Sequence, residues 1–269
     1  MEATHMKRWI TGLIVVPLLC ALIYFGSALM FNLFIVLVIL LATWEYQKMA
    51  FGDGYASEKI QGFIIAFLIP VSVILGQEAI MQVWIVLSVI VMFSLYLLKI
   101  QDSTVDLTSF YRLIFGVLYV PFMMTYFILL RNAPHGVTWI FFVIVLAFSG
   151  DITAYYTGRK WGRKKLHPYV SPGKTGAGII GLVASATVAC VIYQQLFFPK
   201  LSPFSAGLLG LSGSTIGQLG DLCESALKRS AGMKDSGGIL PGHGGMLDRL
   251  DCLIFIVPFI YYCQRFLMS

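Results

Sequence analysis

Apolar runs of about 18–20 residues, the length that carries a helix across the hydrocarbon core of a bilayer, recur from one end of the chain to the other. Backbone polar groups in lipid must be satisfied within the segment itself, so these runs are read as helices and the chain as a polytopic, all-α membrane protein. Composition agrees: 58% of the 269 residues are hydrophobic and the mean hydropathy is +0.83, well beyond the roughly half-apolar balance of a soluble domain. The first run is not a cleavable signal peptide, because no small-residue cleavage site follows it and a second run comes almost at once. Residues 1–6, MEATHM, are set aside as an appended remnant ahead of a native start at Met6.

The runs place about nine spanning segments at 8–25, 29–47, 60–76, 80–98, 110–130, 137–157, 177–198, 204–227 and 250–267. Residues 7–135 are then a set of N-terminal spanning helices. Residues 136–269 form a C-terminal catalytic region with two long loops, 158–176 and 228–249. Segment parity puts all but three of the 19 Lys and Arg residues on one side, the exceptions being Arg131, Lys200 and Arg265. By the positive-inside rule the crowded side is cytoplasmic, so the N-terminus is expected inside and the C-terminus outside. The net charge of +6 is accordingly a cytoplasmic rim suited to anionic head groups, and no nucleic-acid partner is expected. Cys20, Cys190, Cys223, Cys252 and Cys263 lie in or beside apolar runs without metal spacing and are read as small hydrophobes.

Acids inside apolar runs are costly and need a reason. Glu45, Asp151, Asp221 and Glu224 are of this kind. On a helix Asp151 shares a small, polar face with Ala154, Tyr155 and Gly158, and that face leads into the basic loop 158–176. Asp221, Ser225 and Lys228 share a stripe with Glu224 beside it, while Asp248 and Asp251 stand three apart where the last segment begins. An acid at a helix start also has a purely structural role. For Glu45, service to the site and simple pairing with a cation stay open.

Between these acids runs "GGILPGHGG", residues 237–245. Gly and Pro bar it from a helix interior, and its glycines suit either close backbone approach to a phosphate or a tight connection. Carboxylates on separate helices, cations and a glycine-rich loop together point to divalent-metal phosphoryl chemistry, in which Mg²⁺ takes a few carboxylates plus substrate phosphates. Walker A, HExxH and nucleophile-elbow patterns are absent from the sequence. His243 is a candidate base or phosphate donor; His135 and His167 carry no pattern and are read as surface residues.

"SALKRSAGMKDSGGILPGHGGMLDRLD", Ser225–Asp251, resembles the signature of the phosphatidate cytidylyltransferase (CDP-diacylglycerol synthase) family, matching it at Ser225, Lys228, Arg229, Lys234, Asp235, His243, Gly244, Gly245, Asp248, Arg249 and Asp251. "DITAYYTGRKWGRKKLHPYVSPGKT", Asp151–Thr175, is similar to a second family stretch; it departs just afterwards, where Gly176, Ala177 and Gly178 stand in place of a bulky residue, Glu and Gly. The resemblance covers roughly the last 120 residues, and the first five segments match only in being hydrophobic.

This resemblance implies the reaction CTP + phosphatidate → CDP-diacylglycerol + pyrophosphate, dependence on Mg²⁺ with a second cation left open, a cytoplasm-facing site in the inner membrane, and a homodimer among membrane lipids. It implies Asp221 and Asp248 as metal ligands and catalytic residues, with Asp251 and Glu224 as auxiliary ligands. Lys228, Arg229, Lys234 and Arg249 would bind phosphates, with Lys228 and Arg249 acting in catalysis. Ser225, His243, Gly244 and Gly245 would contact phosphate or metal water, and Asp151, Tyr155, Arg159, Ser171, Lys174 and Thr175 would complete substrate binding. The rival expectations are a CTP-dependent lipid-alcohol kinase and, from another class, a transporter. Against the latter, the polar residues gather at one rim rather than at the midplane.

Overall fold

The computed structural model describes residues 2–99, 107–239 and 244–267, with side chains over 13–98, 107–239 and 244–267. The chain divides into two compact units, Met1–Asn132 with Asp235–Asp248, and Ala133–Lys234 with Arg249–Ser269.

In the first unit the helices are α1 (Glu2–Phe25), α2 (Ala28–Phe51), α3 (Ala56–Ile74), α4 (Glu78–Lys99), α5 (Thr108–Val117) and α6 (Met123–Asn132). Helix α2 starts where the Ser27 hydroxyl accepts the Met30 N–H at 3.2 Å, satisfying one of the orphan donors of a first turn. It ends at Gly52, whose φ of +58° breaks the helix. The last carbonyls of α2 meet cations: Arg112 donates to Ala50 O at 2.8 Å and the Lys59 ammonium to Gly52 O, complementing the negative end of the helix. Between α5 and α6 lies a single π-helical turn, Leu118–Phe122, with Pro121 inside it. Proline offers no N–H and its ring crowds the preceding turn, so the wider turn absorbs it without ending the rod. Helix α2 packs on α3 and α6, and its Ile39 and Ala42 are fully buried with Val120 and Met124.

The second unit holds α7 (Gly136–Phe148), α8 (Asp151–Trp161), a hairpin of β1 (Lys165–His167) and β2 (Ser171–Thr175), α9 (Gly176–Phe197) and α10 (Pro203–Ser230). Thr175 caps α9, its hydroxyl accepting Gly178 N–H at 3.1 Å. Ser202 caps α10 by accepting Ser205 N–H at 3.0 Å, with Pro203 in the first turn, where its missing donor costs nothing. The chain continues through α11 (Leu247–Leu250) into α12 (Leu253–Leu267). Helix α10 packs against α7, α9 and α12 along a seam of glycines. A Cβ at Gly210 would lie 2.8 Å from Thr187 Cα, one at Gly213 2.6 Å from Leu146 Cδ2, and one at Gly217 2.7 Å from Ile256 Cδ1. Small residues at such crossings let helix backbones close up where lipid provides no hydrophobic drive for association.

Among the described residues, seven helices or helix pairs are long and apolar enough to cross a membrane: Ala28–Phe51, Ala56–Ile74, Glu78–Leu98, Thr108–Asn132, Gly136–Trp161, Gly176–Phe197 and Leu247–Leu267. The chain is thus a polytopic, mainly helical membrane protein. Helix α10 covers the run read as 204–227 but does not join the seven, because Gly, Ser and charged residues dilute it. In α1 the apolar stretch within the described side chains is Leu13–Phe25. The loop expected over 158–176 contains more structure than the sequence announces. Its antiparallel hairpin pairs Lys165 with Thr175 and His167 with Ser171.

Candidate active site

Helix α10 ends in the second unit with a glycine cap. Met233 N–H donates to Lys228 O at 2.8 Å and Gly232 N–H to Arg229 O at 3.0 Å, with Gly232 at φ +68°. This is the Schellman pattern, which satisfies the last carbonyls through a left-handed glycine. It fixes Lys228 and Arg229 in the final turn and turns the exposed Lys234 away from the helix.

Two turns earlier on α10, Asp221 forms an ion pair with Lys174 of β2, both side chains being largely shielded. The hairpin therefore delivers a cation to a helix carboxylate. The Asp221 charge also bears on Asp151 at the start of α8 and on Asp251 ahead of α12. Around these acids Lys174 acts on both Asp151 and Asp251, Arg249 on Asp151 and Lys228 on Asp251. Asp251 has its Oδ1 accepting the Cys252 N–H at 2.7 Å. Close approach of α10 to this residue depends on Gly220, where a Cβ would lie 2.6 Å from Asp251 O.

Neighbouring residues complete the rim. Glu224 is fully buried and pairs with Lys228 one turn on at 2.6 Å. Arg229 reaches Val170 O at 3.4 Å and Met233 O at 3.2 Å, tying the hairpin turn to the end of α10. Arg159 donates to the Tyr155 hydroxyl at 3.4 Å on the exposed side of α8. Ser225 and Ser171 are half-buried.

The first unit carries the other part of the motif. Asp248 Oδ2 accepts the N–H groups of Ser236 at 3.0 Å and Gly245 at 2.8 Å. Ser236, itself fully buried, accepts the Asp248 N–H at 3.3 Å and donates its hydroxyl to Glu45 Oε2 at 3.1 Å. The Leu247 N–H reaches the same Glu45 oxygen at 2.7 Å. Gly244 has φ +82°, and a Cβ there would lie 2.7 Å from Asp248 Oδ2.

Residues 6–267 match the model of the Cytidylyltransferase family. The chain belongs to that family. Among its relatives is the phosphatidate cytidylyltransferase of Bacillus subtilis (strain 168), 38% identical over 187 residues that cover 69% of either chain. The phosphatidate cytidylyltransferase of Brucella abortus biovar 1 (strain 9-941) is 42% identical over 147 residues, 54% of either chain. That of Haemophilus influenzae (strain ATCC 51907 / DSM 11121 / KW20 / Rd) is 41% identical over 138 residues, 50% of this chain and 48% of its own length. This cytidylyltransferase-family chain thus spans about two thirds of one such relative and about half of the others.

In this family member the second unit pairs Lys174 with Asp221 and sets both near Asp151 and Asp251, with Arg249 near Asp151 and Lys228 near Asp251. It gives other expected ligands intramolecular partners: the Thr175 hydroxyl caps α9, Arg229 holds carbonyls, and Glu224 pairs with Lys228. Among the described residues no group of three or more His, Cys, Asp or Glu side chains stands ready to enclose a metal ion. His243 lies outside the described residues. Among the described glycines of 237–245, Gly245 N–H donates to Asp248, and Gly237 and Gly245 back directly onto Glu45. Lys165 and the hairpin register have no sequence signal, but Ser236 did have one, as a hydroxyl between a charged pair and a glycine run.

Proposed function

We propose that the protein transfers the cytidylyl group of CTP to phosphatidate, giving CDP-diacylglycerol and pyrophosphate. The observation that carries this reading is the Asp221–Lys174 ion pair, since it ties one stretch that resembles the phosphatidate cytidylyltransferases, Asp151–Thr175, to the helix α10 on which the other, Ser225–Asp251, begins one turn after Asp221. Support comes from the family match and from relatives bearing that name.

A phosphate oxygen of phosphatidate attacks the α-phosphorus of CTP, a new P–O bond forms, and the bond to the β-phosphate oxygen breaks as pyrophosphate leaves. The nucleophile is already an anion, so no covalent enzyme intermediate and no strong base are needed. The demand is to bring polyanions together in line and to stabilise departing charge. Lys174, Lys228 and Arg249 supply fixed positive charge beside the acids, and Arg159 and Lys234 lie exposed at the rim to receive phosphate oxygens. Hard carboxylate oxygens on Asp151, Asp221 and Asp251 suit Mg²⁺, which takes few protein ligands when substrate phosphates provide the rest. Asp221 with Asp251 would hold it, and it would supply neutralisation of the developing phosphate charge. Asp248 enters as a catalytic residue and a metal ligand on its motif position.

The reading includes nine spanning segments with the N-terminus in the cytoplasm, residence in the inner membrane and a site at the cytoplasmic face. CTP then enters from water while the acyl chains of phosphatidate stay in lipid. A homodimer is part of the same reading. The test is the purified protein in detergent with phosphatidate, Mg²⁺ and CTP labelled at the α-phosphate. Label should enter the lipid phase and should be lost with EDTA and with Asp221→Asn. CDP accumulating with a lipid alcohol and no lipid label would instead mark a CTP-dependent kinase.

A further inference from the structure

Glu45 lies in the last two turns of α2, just past its apolar run, and is nevertheless fully buried. A carboxylate there is costly. Among the described residues no cationic side chain hydrogen-bonds or ion-pairs with it. Its partners are instead backbone and hydroxyl groups from the far end of the chain: Ser236 Oγ and Leu247 N–H, 191 and 202 residues away, both on Oε2. Among the described residues Oε1 is buried with no hydrogen-bond partner. Gly237 and Gly245 pack so closely that a Cβ at either would overlap the carboxylate.

We propose that Glu45 is a positioning residue for the segment that carries Asp248, an inference resting on the reading of Asp248 as catalytic. The chain of bonds is short and closed. Glu45 holds the Ser236 hydroxyl, the Ser236 hydroxyl holds Asp248 N–H, and Asp248 Oδ2 returns to Ser236 N–H while also taking Gly245 N–H. Leu247, the residue before Asp248, is fixed by the same Glu45 oxygen. Both sides of Asp248, its backbone and its carboxylate, are therefore set by a network whose anchor is on α2. Because buried networks of this kind lose more than one bond when a member is removed, trimming Glu45 frees the whole turn. A misplacement of about 1 Å in a reacting array costs on the order of 100-fold in rate. The glycines at 237 and 245 follow from the same arrangement, as the space a carboxylate needs.

The experiment combines steady-state kinetics with hydrogen exchange on the full-length protein in detergent. Glu45→Ala should lower kcat about 100-fold with little change in KM for CTP, and should speed exchange within 235–248 while α9 keeps its protection. Glu45→Gln retains an oxygen acceptor for both donors and should recover most of kcat and the loop's protection. If Glu45→Gln is as slow as Glu45→Ala although its loop stays protected, Glu45 acts chemically and the positioning role is wrong. Unchanged exchange across 235–248 in Glu45→Ala also overturns it. Should Glu45→Ala fail to fold, Ser236→Ala removes the relay while leaving the carboxylate, and the same localised loosening is expected. If the wild type transfers no cytidylyl group, the functional reading fails, while the exchange data still decide whether Glu45 holds the loop.

Discussion

At the scale of single residues, the structure separates an acid neutralised by a lysine on its own helix from acids that gather. Glu224 and Asp221 sit one turn apart on α10, yet Glu224 is fully buried against Lys228 while Asp221 answers to Lys174 and bears on Asp151 and Asp251. Removing one member of a buried ion pair leaves a charge without its counter-ion, at a cost of roughly 3–5 kcal/mol, whereas replacing both with apolar groups is often close to neutral. Lys228→Met should therefore lower thermal stability in detergent, and the double change Glu224→Met with Lys228→Met should recover most of the loss. If Lys228→Met instead keeps full stability and only raises KM for CTP, its ammonium belongs to the substrate and the pair is incidental. Sequence reading found these residues because charge inside an apolar run is conspicuous. Spacing reveals that Glu224 and Lys228 share a helix face but not that their side chains pair there. Thr175 shows the same limit: a motif position marks it, and only the backbone of Gly178 shows that its hydroxyl caps a helix.

At the scale of elements, apolar run length located the helices because each must span about 30 Å of hydrocarbon, and the observed α2, α3, α7–α8 and α9 overlie the segments expected there. The hairpin β1–β2 was not legible, since Pro172 and Gly173 in a basic stretch read as irregular loop and strands this short carry no alternation. The π turn at Pro121 was hidden for a similar reason: a proline in a spanning helix tells of a disturbed hydrogen bond but not of how the helix absorbs it. The glycines of α10 gain meaning only through packing. Gly220→Ala would place a Cβ 2.6 Å from the backbone carbonyl of Asp251, whereas Gly207→Ala meets nothing nearer than Val191 Cγ2 at 3.6 Å. A backbone group cannot step aside, so Gly220→Ala should reduce both thermal stability and activity, and Gly207→Ala should leave both near wild type. Equal behaviour of the two variants in a melting and turnover assay would show that the α10–α12 approach is looser than this geometry requires.

At the scale of the whole molecule, the division into units was not written in the apolar runs, because hydropathy says which segments enter lipid and nothing of which pack together. Residues 235–248 return to the unit built from α1–α6, and the signal for this was the unexplained Glu45. Orientation, by contrast, is an expectation that rests on charge. Lys164, just before β1, and Lys200, just after α9, are both exposed and are separated by a helix long and apolar enough to cross a membrane. If α9 crosses the bilayer with the basic rim inside, single cysteines at these positions should label from opposite faces. In a background lacking the native cysteines, Lys164→Cys should react with a membrane-impermeant thiol reagent only after the cytoplasmic face is opened. Lys200→Cys should react in intact cells. Reversal of both would invert the protein and move the Asp221 cluster to the outer surface, where cytoplasmic CTP cannot reach it, so the proposed reaction would fall with the orientation. Labelling of both from one face would mean that α9 does not cross. The chain would then have to gain or lose a crossing elsewhere, and α10, the helix too polar to join the seven, is the first place to look.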